Sequence, residues 1–131
     1  MSVRVAIVEG AVRVGPAPQP ERGSVGARLV FEGIVRAMED ARAIDALEYE
    51  VYEPMATRQM ESIAGGLAAE LGLLSIDVWH SRGRVGVGEC SLRVEVRSRH
   101  RGEGLAAMAR FIEALKRDVP IWKRPVWGGA E

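Results

Sequence analysis

At 131 residues, 47% of them hydrophobic and 27% charged, the chain has the size and composition of one compact domain, expected to span residues 1–131. A formal net charge of zero argues against nucleic-acid binding through a broadly basic surface, and no apolar run approaches the roughly 20 residues that cross a bilayer. The single cysteine, Cys90, excludes an internal disulfide, and without a second Cys or clustered His no metal site is expected.

Met1 to Gly10 alternates apolar and polar residues, unlike a secretion signal, so a cytoplasmic location is expected. Val3, Val5 and Ile7 predict a short first strand, followed by a proline-rich loop from Gly10 to Gly23. Ala27 to Arg36 predicts a second strand with Leu29, Phe31 and Val35 on one face and Arg28, Glu32 and Arg36 on the other. Gly33 thins the first face, as if something approached closely. Residues 37–44 read as a polar, mobile loop.

Leu47, Tyr49 and Val51 alternate with Glu48, Glu50 and Tyr52 in a third strand ending at Pro54, a suitable first residue for a helix. That helix reaches about Leu71, burying Ala56, Met60, Ile63, Leu67 and Leu71, with Gly72 as its stop. Strands at about 75–80 and 89–98 flank a turn from Gly83 to Gly88 and form an antiparallel hairpin, with Cys90, Leu92, Val94 and Val96 sharing a face. Ser98 stands at a helix N-cap, and the last helix runs to about Arg117 before Pro120 prevents its continuation. The class is α+β, with a mixed or antiparallel sheet and two main helices.

Charge is unevenly spread. Between Arg97 and Arg124 eight basic residues face three acidic ones, and of the chain's 18 Lys plus Arg only Lys116 and Lys123 are lysines. An amine can lose its proton where a guanidinium effectively cannot, so two close lysines in a lysine-poor chain suggest proton chemistry. On a helical wheel with Leu105 at zero, the stripe Met108, Ala109, Ile112 and Leu115 falls between about 280° and 40°, and Lys116 falls at about 20°. Such a lysine either snorkels to water or occupies a partly desolvated pocket that favours the neutral amine.

Arg101 lies on the same side, but fifteen residues from Lys116, or roughly 22 Å of helix. A small substrate cannot touch both along one helix, so if both serve one pocket the second comes from another chain, which points to a homodimer with His100 and Arg101 offered in trans. His100-Arg101 marks a helix N-terminus, where backbone N–H groups favour an anion such as phosphate. Cys90 reads as inert core rather than a persulfide carrier, and His80, opposite no identifiable partner, reads as structural. The Gly83–Gly88 glycines join two strands and are no dinucleotide fingerprint.

Four segments together resemble the large, catalytic subunit family of molybdopterin synthase: Leu29-Val30-Phe31-Glu32-Gly33-Ile34-Val35-Arg36, Leu47-Glu48-Tyr49-Glu50-Val51-Tyr52 leading to Pro54-Met55, Ser98-Arg99-His100-Arg101, and Leu115-Lys116 through Val119-Pro120-Ile121-Trp122-Lys123-Arg124. The resemblance implies an α/β-hammerhead-like fold, a central homodimer, and a ubiquitin-like small subunit at each end of a heterotetramer. It implies a sulfurtransferase of molybdenum cofactor biosynthesis, fed by the small subunit's Gly-Gly thiocarboxylate. Two such deliveries convert cyclic pyranopterin monophosphate into the dithiolene of molybdopterin, with no cofactor of the enzyme's own. Matched by position, the resemblance makes Lys116 and Lys123 catalytic and gives Arg36, His100, Arg101, Arg124, Phe31 and Ile112 to substrate binding.

The family's segment after its Lys-Arg is usually longer and commonly begins with Glu; here Pro125 follows, and Trp127 corresponds to a later family Trp with the intervening loop deleted. Gly128-Gly129 is not terminal, so this chain is not expected to be the thiocarboxylate carrier. A competing class is a non-catalytic phosphate- or nucleotide-binding α+β module, which needs the basic residues but not the amines. An RNA-binding domain is disfavoured by neutral charge and by seven aromatic residues with no stacking set on adjacent strands.

Overall fold

The computed structural model describes residues 2–17 and 23–128. Part of the expected 10–23 loop and the Gly129 end of the Gly-Gly pair lie outside the described residues. The elements run β1 (Ser2–Glu9), β2 (Ala27–Ile34), β3 (Met38–Glu39), β4 (Arg42–Val51), α1 (Met55–Leu71), β5 (Ser75–Gly86), β6 (Cys90–Ser98), α2 (Arg101–Asp118) and β7 (Ile121–Trp127). The fold is α+β and hammerhead-like, as expected, with a mixed sheet.

β5 belongs to both halves of that sheet. Residues 75–80 pair antiparallel with β6, and 75–82 pair parallel with β1 on the other side. Beyond them, 83–86 pair antiparallel with β4. β2 pairs with β6 alone among the described strands, and β7 lines β4 from Ile44 to Val51. α1 packs on β1 and β5, α2 on β2 and β6, and the two helices pack on each other. The main core is trapped between helices and sheet by Met60, Leu67, Ile76, Val78, Val94, Val96 and Phe111. Val35, Ile44, Leu47 and Val85 form a second cluster in the other half.

α1 follows its apolar period: Ala56, Met60, Ala64, Leu67 and Ala68 are buried, and Gly72 stops the helix in the left-handed conformation, φ 66°. Its N-terminus is held by Glu53, whose carboxylate accepts the Thr57 N–H at 2.9 Å. In β6 the row Leu92, Val94 and Val96 faces the helices. The opposite row, Glu95 and Arg97, is also buried, against the segment that contains the buried Val12 and Ala17.

Four expectations are corrected, and one unassigned segment gains an element. Residues 37–44 are a hairpin rather than a loop: Asp40 and Ala41 both take positive φ, 49° and 61°, a two-residue turn that matches the twist of its strands. The hairpin turn after β5 is shorter than Gly83–Gly88, because 83–86 remain in strand by pairing with β4. Ser98 is not the N-cap of α2; His100 holds that place without a side-chain cap, while Ser98 Oγ donates to the His100 carbonyl at 2.6 Å. The segment after Pro120, to which the residue pattern assigned no element, forms β7. Finally, the face of α2 that packs on the sheet is Gly104, Ala107, Phe111 and Leu115, which leaves Leu105 56% exposed.

Candidate active site

A cavity of about 530 Å³ opens where the two halves of the sheet meet. α2 supplies Leu115 and Lys116 at its last turn, and β7 supplies Ile121 and Lys123. Phe31 and Gly33 enter from β2, with Arg36 just beyond its end. Tyr49, His80 and Ser91 form the wall from β4, β5 and β6.

Strand register explains much of this convergence. In the β4–β7 ladder Tyr49 lies opposite Lys123, and alternation turns Trp122 and Arg124 the other way. Arg124 stands opposite Glu48 and borders a second hollow with Glu50, Tyr52 and Trp122, to which Tyr49 and Lys123 also contribute. On β2 the register against β6 slips between Gly33 and Ile34 and the strand then ends. The alternation that would place Arg36 away from Phe31 therefore lapses, and both border the cavity. A Cβ at Gly33 would meet Leu92 Cβ and Phe31 Cε1 at 3.6 Å, an ordinary contact, so no close approach is required there.

The cavity is cationic at its mouth and polar at its wall. Lys116, Lys123 and Arg36 are all exposed, and Lys123 Nζ lies 3.6 Å from the Glu39 carboxylate. Of the two placements open to Lys116, the structure shows the solvent-exposed one, at the mouth of the cavity. In the wall, Tyr49 Oη donates to Ser91 Oγ at 3.0 Å, and burial raises the phenol above its ordinary range despite that bond. The Tyr49 ring meets His80 edge-on, centroids 5.3 Å apart. His80 Nδ1 lies 2.8 Å from the Ser81 carbonyl and so carries the proton that donates to it. Burial lowers the His80 pKa, which keeps the ring neutral with Nε2 as an acceptor.

Of the residues chosen from sequence, the structure thus brings together Lys116, Lys123, Arg36 and Phe31. His100 and Arg101 border a different hollow, of about 550 Å³, beside Gly26 at the start of β2. Ile112 lies half-buried on the flank of α2, against the edge of the main core. Tyr49, Ser91 and Glu39 were not chosen, and His80 was read as structural. Their one sequence signal is that Tyr49 shares the strand face of Leu47 while His80 closes a strand pattern, and neither fact names a cavity. Cys90 is half-buried, its Sγ donating to the Leu92 carbonyl at 3.3 Å, and burial pushes its thiol pKa up, which keeps it protonated.

Among the described residues no helix is long and apolar enough to cross a membrane. The family model described as "MoaE protein" matches residues 6–118. The chain is 41% identical over 106 residues to an Arabidopsis thaliana protein named molybdopterin synthase catalytic subunit, covering 81% of this chain and 54% of that protein. A Pyrococcus abyssi protein of the same name is 35% identical over 103 residues, covering 79% and 70%. This chain thus spans little more than half the length of the Arabidopsis relative. Among solved structures, the molybdopterin synthase structure from Staphylococcus aureus superposes with a TM-score of 0.77 at 29% identity, over 85% of this chain and 81% of that one. With the match running through both helices and most of the sheet, the chain belongs to the MoaE protein family.

Proposed function

We propose that the chain is the catalytic subunit of a molybdopterin synthase, a sulfurtransferase that acts in the cytoplasm with a small ubiquitin-like sulfur-carrier subunit. The observation that carries the reading is the meeting of the chain's two lysines, from α2 and β7, on one open cavity with Arg36. Both partners of the reaction are anions: the thiocarboxylate tail of the carrier and the phosphate of cyclic pyranopterin monophosphate. Three cations around one mouth, against the single carboxylate of Glu39, favour bringing them together. Each delivery bonds one sulfur to a pterin carbon, and water then cleaves the acyl–sulfur bond to return the tail as a carboxylate, so the dithiolene takes two.

In this reading Lys116 and Lys123 are the catalytic residues, supplying a movable proton and a charge for the thiocarboxylate. Arg36 holds phosphate, and Phe31 lines the pterin's seat. His100, Arg101, Arg124 and Ile112 are assigned to the same substrate, although they stand off this cavity in one chain. For His100 and Arg101 the reading requires a homodimer, since roughly 22 Å of helix separates Arg101 from Lys116.

The decisive experiment mixes the chain with a thiocarboxylated small subunit and the cyclic pterin precursor and measures molybdopterin. Absence of product with a verified donor overturns the reading. Lys116→Arg separates it from a non-catalytic phosphate-binding module: charge and anion binding persist, and product formation is lost.

A further inference from the structure

The cavity holds one buried base that the chemistry assigned to the lysines leaves unused. His80 lines its wall at only 5% exposure. Its Nδ1–H is given to the Ser81 carbonyl at 2.8 Å, and among the described residues the ring makes no other hydrogen bond. Nε2 is therefore a fixed acceptor without a partner. Burying such an atom unpaired is costly, and a fold that retains one needs a reason.

The donor nearest to it is drawn away. Tyr49 meets the imidazole edge-on, centroids 5.3 Å apart, yet its phenol donates to Ser91 Oγ at 3.0 Å. Ser91 comes within reach because β6 bulges there: Gly33 pairs with Leu92 and Ile34 with Cys90, so Ser91 has no opposite residue on β2. Successive strand residues normally point to opposite faces, but Ser91 and Leu92 both line the cavity. The bulge thus supplies the acceptor that occupies the Tyr49 proton and leaves Nε2 open. Of the other groups at the cavity, Arg36 only donates, and the Glu39 carboxylate lies 3.6 Å from Lys123 Nζ. Among the described lining residues, a nitrogen base buried from solvent is found in His80 alone.

We infer that His80 is a catalytic residue of the hydrolytic half of each delivery, holding the water that cleaves the acyl–sulfur bond and taking its proton on Nε2. The inference rests on the functional reading above and adds the base for its water step. Once sulfur is bonded to the pterin carbon, the tail remains joined to that sulfur as a thioester. The water oxygen adds to the acyl carbon while one of its protons passes to Nε2. The lysines at the mouth offset the charge of the oxyanion so formed. Its collapse breaks the carbon–sulfur bond, and the electron pair leaves on sulfur as the pterin thiolate. The tail departs as a carboxylic acid that ionises, and the Nε2 proton passes to the thiolate, which readies the ring for the second delivery. No oxidation state changes. Throughout, the Ser81 carbonyl fixes the tautomer and supports the imidazolium while it lasts.

The test mixes the chain with the thiocarboxylated small subunit and the cyclic pterin precursor, quenches in acid, and follows both molybdopterin and the mass of the small subunit. His80→Gln should form the thioester but cleave it about 10²-fold more slowly than the parent, so that the heavier small subunit accumulates while molybdopterin lags. Hydroxylamine, a nucleophile that needs no base, should release that adduct as the small subunit's hydroxamate; an adduct that resists it is not the thioester and overturns the inference. A merely structural His80 would slow both steps together. Loss of product without adduct, in a variant of parental circular dichroism, therefore overturns the inference, as does cleavage at the parental rate. The tautomer is read without altering His80: the chain has two histidines, so in His100→Gln nitrogen-15 spectra carry a single imidazole, expected with a proton on Nδ1 and none on Nε2. A proton resident on Nε2 overturns the inference as well. A parent that yields neither adduct nor product sinks the functional reading and this inference with it, whereas a productive parent matched by His80→Gln overturns this inference alone.

Discussion

Glu95 and Arg97 hold the same residue from two sides: Glu95 Oε1 accepts the Ala17 N–H at 3.3 Å, and Arg97 Nη2 donates to the Ala17 carbonyl at 2.7 Å. They also pair with each other at 2.5 Å, and both are fully buried. Asp77, with Arg97 Nη1 3.8 Å from its carboxylate, and Arg93, at 3.2 Å from Glu95, extend the cluster.

Removing one member of this pair should cost more than the pair contributes, because the other charge stays buried with only more distant counter-charges: after loss of Glu95, Arg97 keeps the Asp77 carboxylate at 3.8 Å. Glu95→Ala is expected to lower unfolding free energy by about 3–5 kcal/mol in urea titrations. A loss below about 1 kcal/mol would show that the 12–17 segment is held by its apolar contacts instead.

Lys116 and Lys123 stand on exposed positions, so their truncation should spare the fold. Lys116→Ala is expected to cut molybdopterin formation by about 10²-fold or more while moving stability by no more than about 0.5 kcal/mol. Retention of full activity in both Lys116→Ala and Lys123→Ala would remove the amines from the chemistry.

His80 makes stability depend on pH in a defined direction. Burial holds its folded pKa below the ordinary 6.5, so between the two values the unfolded chain binds more protons than the folded one. Its contribution is therefore complete above 6.5 and is lost as pH falls through the depressed folded value. His80→Gln should shrink the difference between urea midpoints measured at about pH 7.5 and about pH 5. An unchanged difference would mean that the imidazole titrates alike in both states.

Gly65 and Gly66 lie inside α1, and a Cβ at either would meet nothing within 4 Å. Gly65→Ala and Gly66→Ala should each raise unfolding free energy by about 0.5–1 kcal/mol, through lower unfolded-state entropy and better helix propensity. A destabilising result would show that the helix needs the space a methyl at these positions would fill.

Much of the architecture is legible in residue patterns. Alternation in Cys90–Ser98, the apolar period of α1 and Gly72 are local signals that tertiary packing did not override. β7 escaped notice because Pro125 argues against an interior strand, yet β7 pairs only with β4 among the described strands, and an edge tolerates a residue without an N–H. On α2, hydropathy located the stripe Met108, Ala109, Ile112 and Leu115, of which Leu115 is buried and Met108 and Ile112 pack half-buried at the core's edge, but it missed Gly104 and Ala107, which complete the contact. Gly104 is the clearest case, since a Cβ there would lie 2.7 Å from both Leu29 Cδ1 and Ser98 Oγ. For the site, two lysines in a lysine-poor chain stood out unaided. Tyr49, His80 and Ser91 did not, because a cavity wall drawn from three strands has no signature in any one of them.

The dual membership of β5 limits where this chain can vary in length. Residues up to 82 align with β1 and those from 83 onward with β4, leaving no spare residue between the two ladders. An insertion there would reverse the facing of every later side chain in the strand and carry β4 and β7 out of step with α2. Chain length at Arg82–Gly83 thus sets which way the β4–β7 ladder, and Lys123 on it, faces relative to α2.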